Sequence, residues 1–184
     1  MLGRMIAALR GFLFCLIVIL PAAALAQQAD GVRHGVQAYR QGDYETARKL
    51  LEPQASDPTA AYILGQMKSA GRGGPTDHAA AARHYQYAVS RGLPGAMLGL
   101  GFLYDNGWGV PRDGHAAQEL YIGAATRGIT VAKNNLAYLW ARQNGLLEQA
   151  LCLSAQTLEE EPDNAHYLDT YGFILLMMKQ PERA

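Results

Sequence analysis

The sequence predicts an all-α fold, a right-handed α/α superhelical solenoid of helix-turn-helix repeats. Two observations carry this. Ala60–Gly92 recurs 36 positions later as Ala96–Gly128, with thirteen identities in register, among them Leu64/Leu100, Gly65/Gly101, Asp77/Asp113 and Tyr85/Tyr121. Self-similarity at a period of 20–50 residues marks a stack of small structural units. Within each copy the apolar residues fall at helical spacing, as in Ala60, Leu64 and Met67, or Ala96, Leu100, Leu103 and Tyr104.

The first 26 residues are expected to be an export signal. Arg4 and Arg10 form a positive start, Phe12–Leu20 an apolar core, and Ala24-Leu25-Ala26 a small-x-small cleavage site with the cut after Ala26. The apolar run is short for a membrane span and Pro21 interrupts it. The mature chain is therefore expected to be periplasmic or secreted, with no membrane association after cleavage. Without Arg4 and Arg10 the 16 basic residues fall to 14 against 16 acidic, a net charge near −2. No basic stripe stands out, so nucleic acid is not an expected partner. Cys15 leaves with the signal, and Cys152 alone cannot close an internal disulfide.

Residues 27–57 read as an opening helical hairpin. Val32, Val36 and Tyr39 lie on one face, Gln41-Gly42-Asp43-Tyr44 is a turn with Asp43 as N-cap, and Ala47, Leu50 and Leu51 lie on the second helix. Residues 58–93 and 94–129 are the two copies. In each, Gly71-Arg72-Gly73-Gly74-Pro75 or Gly107-Trp108-Gly109-Val110-Pro111 ends a first helix and forms the loop. Asp77 and Asp113 stand where an N-cap belongs. The second helix carries Ala80, Ala81, Tyr85 and Ala88, or their copies, and stops at Gly92 or Gly128. Gly65 and Gly101 sit in mid-helix, where glycine costs roughly 1 kcal/mol relative to alanine. Paid twice, that cost points to a neighbouring helix too close for a side chain.

Residues 130–162 form a hairpin with a shorter Gln143-Asn144-Gly145 turn, and Cys152 falls among its apolar residues as a small buried hydrophobe. Residues 163–184 open a further unit, with Leu168, Tyr171, Gly172, Leu175 and Met178 as its packing face. The segment Phe173–Met178 is apolar all round and expects cover on more than one side. Truncation is the first reading of this uncovered helix, ahead of self-association through Phe173–Met178 or docking of another chain.

The pattern Ala-x3-Leu-Gly-x2-Tyr-x2-Gly-x-Gly-Val-Pro-x-Asp-x2-Ala-Ala-x3-Tyr-x2-Ala-Ala-x2-Gly, read from Ala96 to Gly128, resembles the Sel-one-like repeat, a relative of the tetratricopeptide repeat. The first copy departs from it at Lys68 and Gly74. The flanking hairpins are similar to tetratricopeptide units. The resemblance implies a solenoid whose members mostly hold other proteins, and it implies no reaction. Some exported members are associated with binding or cleaving β-lactam-type cell-wall ligands, but these carry a cysteine pair in each repeat that this chain lacks.

No catalytic or metal constellation emerges. The five histidines lie on separate repeats or separate faces, and no HExxH, CxxC or paired-carboxylate spacing occurs. The paired glycines follow a helix and precede proline, so they are turn formers and not a phosphate cradle. No cofactor is expected. The candidate functional surface is the concave wall, formed by the first helix of each hairpin: Tyr62, Gln66 and Ser69; Leu98, Phe102 and Asp105; Asn134, Tyr138 and Ala141. Tyr62, Phe102 and Tyr138 make an aromatic seam with amides beside it, a mix that anchors a peptide or a partner helix. Trp108, in the loop, either binds as well or folds back onto the next repeat. The expected function is an exported, non-catalytic interaction scaffold holding another protein or peptide in this groove. The alternatives are a cell-wall-ligand-binding or β-lactam-hydrolysing repeat protein, and a regulatory subunit inhibiting an envelope sensor.

Overall fold

The computed structural model describes residues 22–143 and 145–179, of which 22–28 by their backbone alone. The expected n-region and apolar run of the signal, Asn144 of the third turn, and the final Pro181–Ala184 turn lie outside the described residues. Helix α1 runs Ala22–Arg40, so the expected cut after Ala26 falls in its second turn. Then follow α2 (Tyr44–Leu51), a 3-10 turn (Glu52–Gln54), α3 (Pro58–Ala70), α4 (His78–Ser90), α5 (Pro94–Asn106), α6 (Gly114–Ala125), α7 (Thr130–Arg142), α8 (Leu147–Glu160) and α9 (Ala165–Met178). The described residues contain no strand. No helix among them is long and apolar enough to cross a membrane.

Each helix packs mainly on its neighbours in sequence, and first helices also meet the next first helix, α3 with α5, α5 with α7 and α7 with α9. That is the contact pattern of an α/α solenoid. Helix starts are set by short polar caps. Asp43 Oδ1 accepts from the Thr46 N–H (3.1 Å), Asp77 from Ala80 (2.8 Å), and Asp113 from His115 and Ala116 (both 3.0 Å). Two caps not read from the sequence do the same work: Asp57 for α3, before Pro58 at the first helical position, and Asn164 for α9.

The mid-helix glycines are explained by rings. A Cβ on Gly65 would lie 2.6 Å from Tyr85 Cε1, and one on Gly101 would lie 2.9 Å from Tyr121 Cε1. The close neighbour is thus a tyrosine of the repeat's own second helix. Tyr85 is also wedged against the following repeat, since a Cβ on Gly99 would sit 2.7 Å from its Cζ. The next hairpin has Asn135 of α7 at the position equivalent to Gly99, and its amide borders the same cleft as Tyr121.

The loop glycines join one repeat to the one before. Gly73 and Gly109 have positive φ (74° and 71°), a backbone region in which L side chains are strained. A Cβ on Gly73 would lie 2.7 Å from the Tyr44 carbonyl oxygen, and one on Gly109 would lie 2.2 Å from the His78 carbonyl carbon. Each loop therefore rests on the first turn of the preceding hairpin's second helix.

The third and fourth units depart from the sequence expectation in two places. Cys152 is exposed, because the buried row of α8 is Ala150, Ser154 and Thr157, and Cys152 points away from it. In α9 the buried residues are Tyr167, Thr170 and Ile174, whereas Leu168, Leu175 and Met178 are exposed and Gly172 has no atom within 4 Å of a would-be Cβ. The expected packing face is the open one. The helix is packed through the side that meets α7 and α8.

Candidate functional site

The wall formed by the first helices takes its shape from register. Phe102 of α5, Tyr138 of α7 and Phe173 of α9 occupy equivalent positions on successive first helices, and so line up on one wall. Phe102 is 41% and Tyr138 38% exposed, although both rings belong to the aromatic class that usually packs inward. Tyr138 and Phe173 pack as a tilted pair, centroids 5.2 Å apart. Phe173 is absent from the seam that the sequence suggests. The signal that locates it is the same helical register that picks out Phe102 and Tyr138.

Tyr62 belongs elsewhere. Its hydroxyl would lie 2.7 Å from a Cβ on Gly95, its ring is 6.3 Å from Tyr85, and it packs on the core clusters of both neighbouring repeats. Burial raises its phenol above the ordinary tyrosine value. Gln66 Nε2 donates to the Tyr62 hydroxyl (2.9 Å). Tyr62 and Gln66 thus serve the joint between repeats, and the aromatic seam begins at Phe102. Leu98 is half-buried against Tyr121, Leu136 and Leu139, so it too packs between units.

Asp105 and Asn134 sit beneath the wall. Asp105 is 7% exposed and forms an ion pair with Arg142 of α7. Arg142 also lies over the Tyr138 ring, 5.6 Å from its centroid, so one guanidinium neutralises a buried carboxylate and steadies an exposed aromatic. Arg112 Nε donates to the Asp105 carbonyl (2.9 Å). The Tyr121 phenol nearby is pushed up, first by burial and then by the Asp105 charge. A small cleft of about 180 Å³ lies here between Phe102, Asp105, Tyr121, Tyr138 and Arg142.

A larger cleft, about 560 Å³, opens between α7 and α9. Its walls are equivalent residues of the two helices: Asn134 facing Asp169, Asn135 facing Thr170, Tyr138 facing Phe173. Asn134 is 6% exposed and its Oδ1 has no hydrogen-bond partner. A buried, unpaired amide at the base of an open cleft is costly unless a ligand completes it. Tyr138 and Asn135 border both clefts, so the two adjoin across α7.

Trp108 extends the row at its other end. The ring stacks on His78 (centroids 4.9 Å) and meets Phe102 edge-on (5.3 Å). It folds against the preceding repeat, not the next one, because Gly109 docks on His78 and carries residue 108 with it. Arg72 does the equivalent in repeat 1, lying 5.7 and 5.5 Å from the centroids of Tyr39 and Tyr44 and donating to the Tyr39 hydroxyl (2.6 Å). Trp108 keeps 44% of its surface exposed in that position. Among the described residues, no group of three His, Cys, Asp or Glu is arranged to hold a metal ion.

Fold and wall together define a helical-repeat solenoid. Residues 58–93 and 94–129 each match the family model for the Sel1 repeat, so these two units are Sel1 repeats, a kind of unit that generally mediates protein–protein interaction. Two solved structures are similar in fold. One is the Sel1 repeat protein from Oxalobacter formigenes, with a TM-score of 0.67 and 25% identity over 77% of this chain and 58% of that one. The other is c5321, described as a protective antigen present in uropathogenic Escherichia coli strains and displaying an SLR fold, with a TM-score of 0.64 and 23% identity over 77% of this chain and 34% of that one. The chain thus spans little more than half of one relative and a third of the other. No curated protein matches it.

Proposed function

We propose that this protein is an exported interaction scaffold that holds a segment of another protein along the α5–α7–α9 wall. The observation that carries the proposal is the row Phe102–Tyr138–Phe173, three aromatics in equivalent positions beside a cleft whose base holds the unpaired Asn134 amide. Exposed aromatics backed by rigid packing are the commonest anchors of protein interfaces, and the amide supplies a polar contact that fixes register. The solenoid presents them without a hinge, so the partner pays the ordering cost and the scaffold little.

Sel1-repeat proteins are typically non-catalytic scaffolds, and the wall here holds and does not turn over. Export rests on Arg4 and Arg10, the Phe12–Leu20 run and the Ala24-Leu25-Ala26 site. N-terminal sequencing of the protein recovered from the cell envelope tests export: a chain starting at Gln27 supports it, and one retaining Met1 overturns it. Partner capture lost on truncating Phe102 and Tyr138 tests the wall.

A further inference from the structure

We infer that the wall of α5 and α7 takes its partner as an uncharged, proline-rich segment in the polyproline II conformation, laid across the two helices between Trp108 and Tyr138. The inference rests on the scaffold reading above and names the class of segment held. The surface lies inside the stack, with α3 packed before α5 and α9 packed beyond α7. Phe102, Trp108 and Tyr138 keep 41%, 44% and 38% of their surface exposed with both neighbours in place. Each unit of a solenoid touches only the units beside it, so repeats added at either end do not reach this surface.

Charge and hydrogen bonding narrow the occupant. The charged side chains of α5 and α7 are Asp105, Lys133 and Arg142. Asp105 pairs with Arg142, and Lys133 with Glu160 of α8. With every charge on the two helices matched, the complementary segment is an uncharged one. The Trp140 indole N–H donates to Gln118 Oε1 (2.9 Å), whereas among the described residues the exposed Trp108 indole meets no acceptor. A proline-rich segment brings acceptors to such a donor, because proline has no N–H and polyproline II leaves its carbonyls unbonded. A partner α-helix bonds its carbonyls within itself.

Spacing agrees. Packed helices lie about 8–10 Å apart, and polyproline II advances about 9 Å per three-residue turn. Every third residue therefore meets the wall once per first helix. A β-strand places same-face residues about 6–7 Å apart and falls out of step. In a Pro-x-x-Pro pattern one ring enters the cleft of about 180 Å³ between Phe102 and Tyr138. The other lies in the corner where Phe102 and Trp108 meet at 85°. Trp108 is fixed beforehand, stacked on His78 at 4.9 Å while Gly109 rests on the His78 backbone. Both sides are stiff before they meet, so little order is lost on binding.

The probe is capped decaproline, titrated to millimolar concentration into the ¹⁵N-labelled chain from Gln27 to Ala184. Saturating shifts of the Trp108 indole and of the Phe102 and Tyr138 amides are expected, unchanged as salt is raised. Trp108→Ala should weaken binding at least tenfold. Trp108→Phe, which keeps a ring over His78 and removes the N–H, should weaken it several-fold with the parent's circular dichroism. No saturation, binding untouched by either variant, or equal binding of a capped Gly-Ser peptide of the same length would overturn the inference. Decaproline should also displace a partner whose capture depends on Phe102 and Tyr138. A partner so captured and not displaced would overturn this inference and leave the scaffold reading standing, whereas the absence of any such capture would strike that reading and the inference with it.

Discussion

Gly101 and Tyr121 are made for each other: a Cβ on Gly101 would stand 2.9 Å from Tyr121 Cε1 and 3.0 Å from its Cδ1, inside the contact distance of carbon atoms. Tyr121 is fully buried and cannot swing aside. The repeat closes around this pair, as the first repeat closes around Gly65 and Tyr85.

Gly101→Leu should therefore wedge α5 from α6. Overpacking a tight core costs about 1–3 kcal/mol, and a rigid ring with no free rotamer puts this site at the upper end. Urea denaturation followed by circular dichroism is expected to show a lower midpoint. An unchanged midpoint would mean that the helices separate freely and that the glycine has no packing role.

The Asp105–Arg142 pair joins α5 to α7 beneath the wall. Removing Arg142 leaves a carboxylate that is 7% exposed without its cation. Breaking a buried pair in this way costs roughly 3–5 kcal/mol, the upper limit here because the Arg142 side chain keeps 31% of its surface exposed. Arg142→Met should destabilise strongly, and Asp105→Asn combined with Arg142→Met should recover much of the loss. A double-mutant cycle with no coupling would show the pair to be incidental.

Burial raises the Tyr85 phenol well above the ordinary tyrosine value, with lesser contributions from Tyr62 and Tyr39. The folded state thus keeps a proton that the unfolded chain releases near pH 10. That stabilisation is fully present below pH 10 and is lost as the pH rises above it, because the unfolded state then binds fewer protons than the native one. Stability measured from pH 8 to 11 should fall steeply above 10, and Tyr85→Phe should flatten the fall while changing little at pH 8. Identical slopes in the two proteins would contradict the assignment.

Much of this molecule is legible in its sequence. The repeat, its glycine-proline loops and the Asp43, Asp77 and Asp113 caps are local signals that tertiary context does not override. The misreadings share one cause. A first helix in a solenoid is covered by its own second helix on one side and by neighbouring first helices on another, so its apolar stripe is wide and helical spacing does not say which edge faces the groove. Tyr62 and Phe102 are both aromatics on a first helix, but Tyr62 stands in register with Leu98 and packs into the joint against Gly95, whereas Phe102 stands in register with Tyr138. The stripe of α9 behaves likewise, since Leu168, Gly172 and Leu175 carry the pattern of a covered face while no other described helix lies over them. Cys152 lies two residues from both Ala150 and Ser154, on the side of α8 away from a buried row that includes the polar Ser154 and Thr157, which no hydrophobic pattern reveals. Asn134 is placed on the wall by its spacing, but that its amide oxygen is buried without a partner shows only when both sides of the cleft are in place.

The central claim is that the wall of Phe102 and Tyr138 binds a partner and is not merely surface. Crosslinking and affinity capture from envelope extract, read by mass spectrometry with the chain from Gln27 to Ala184 and its Phe102→Ala/Tyr138→Ala variant, tests it most directly. Both side chains are more than a third exposed, so the variant should keep its helicity and melt within a few degrees of the parent. The prediction is one recurrent partner, captured by the parent and lost from the folded variant. Equal capture by both proteins, or collapse of the variant's fold, would contradict it.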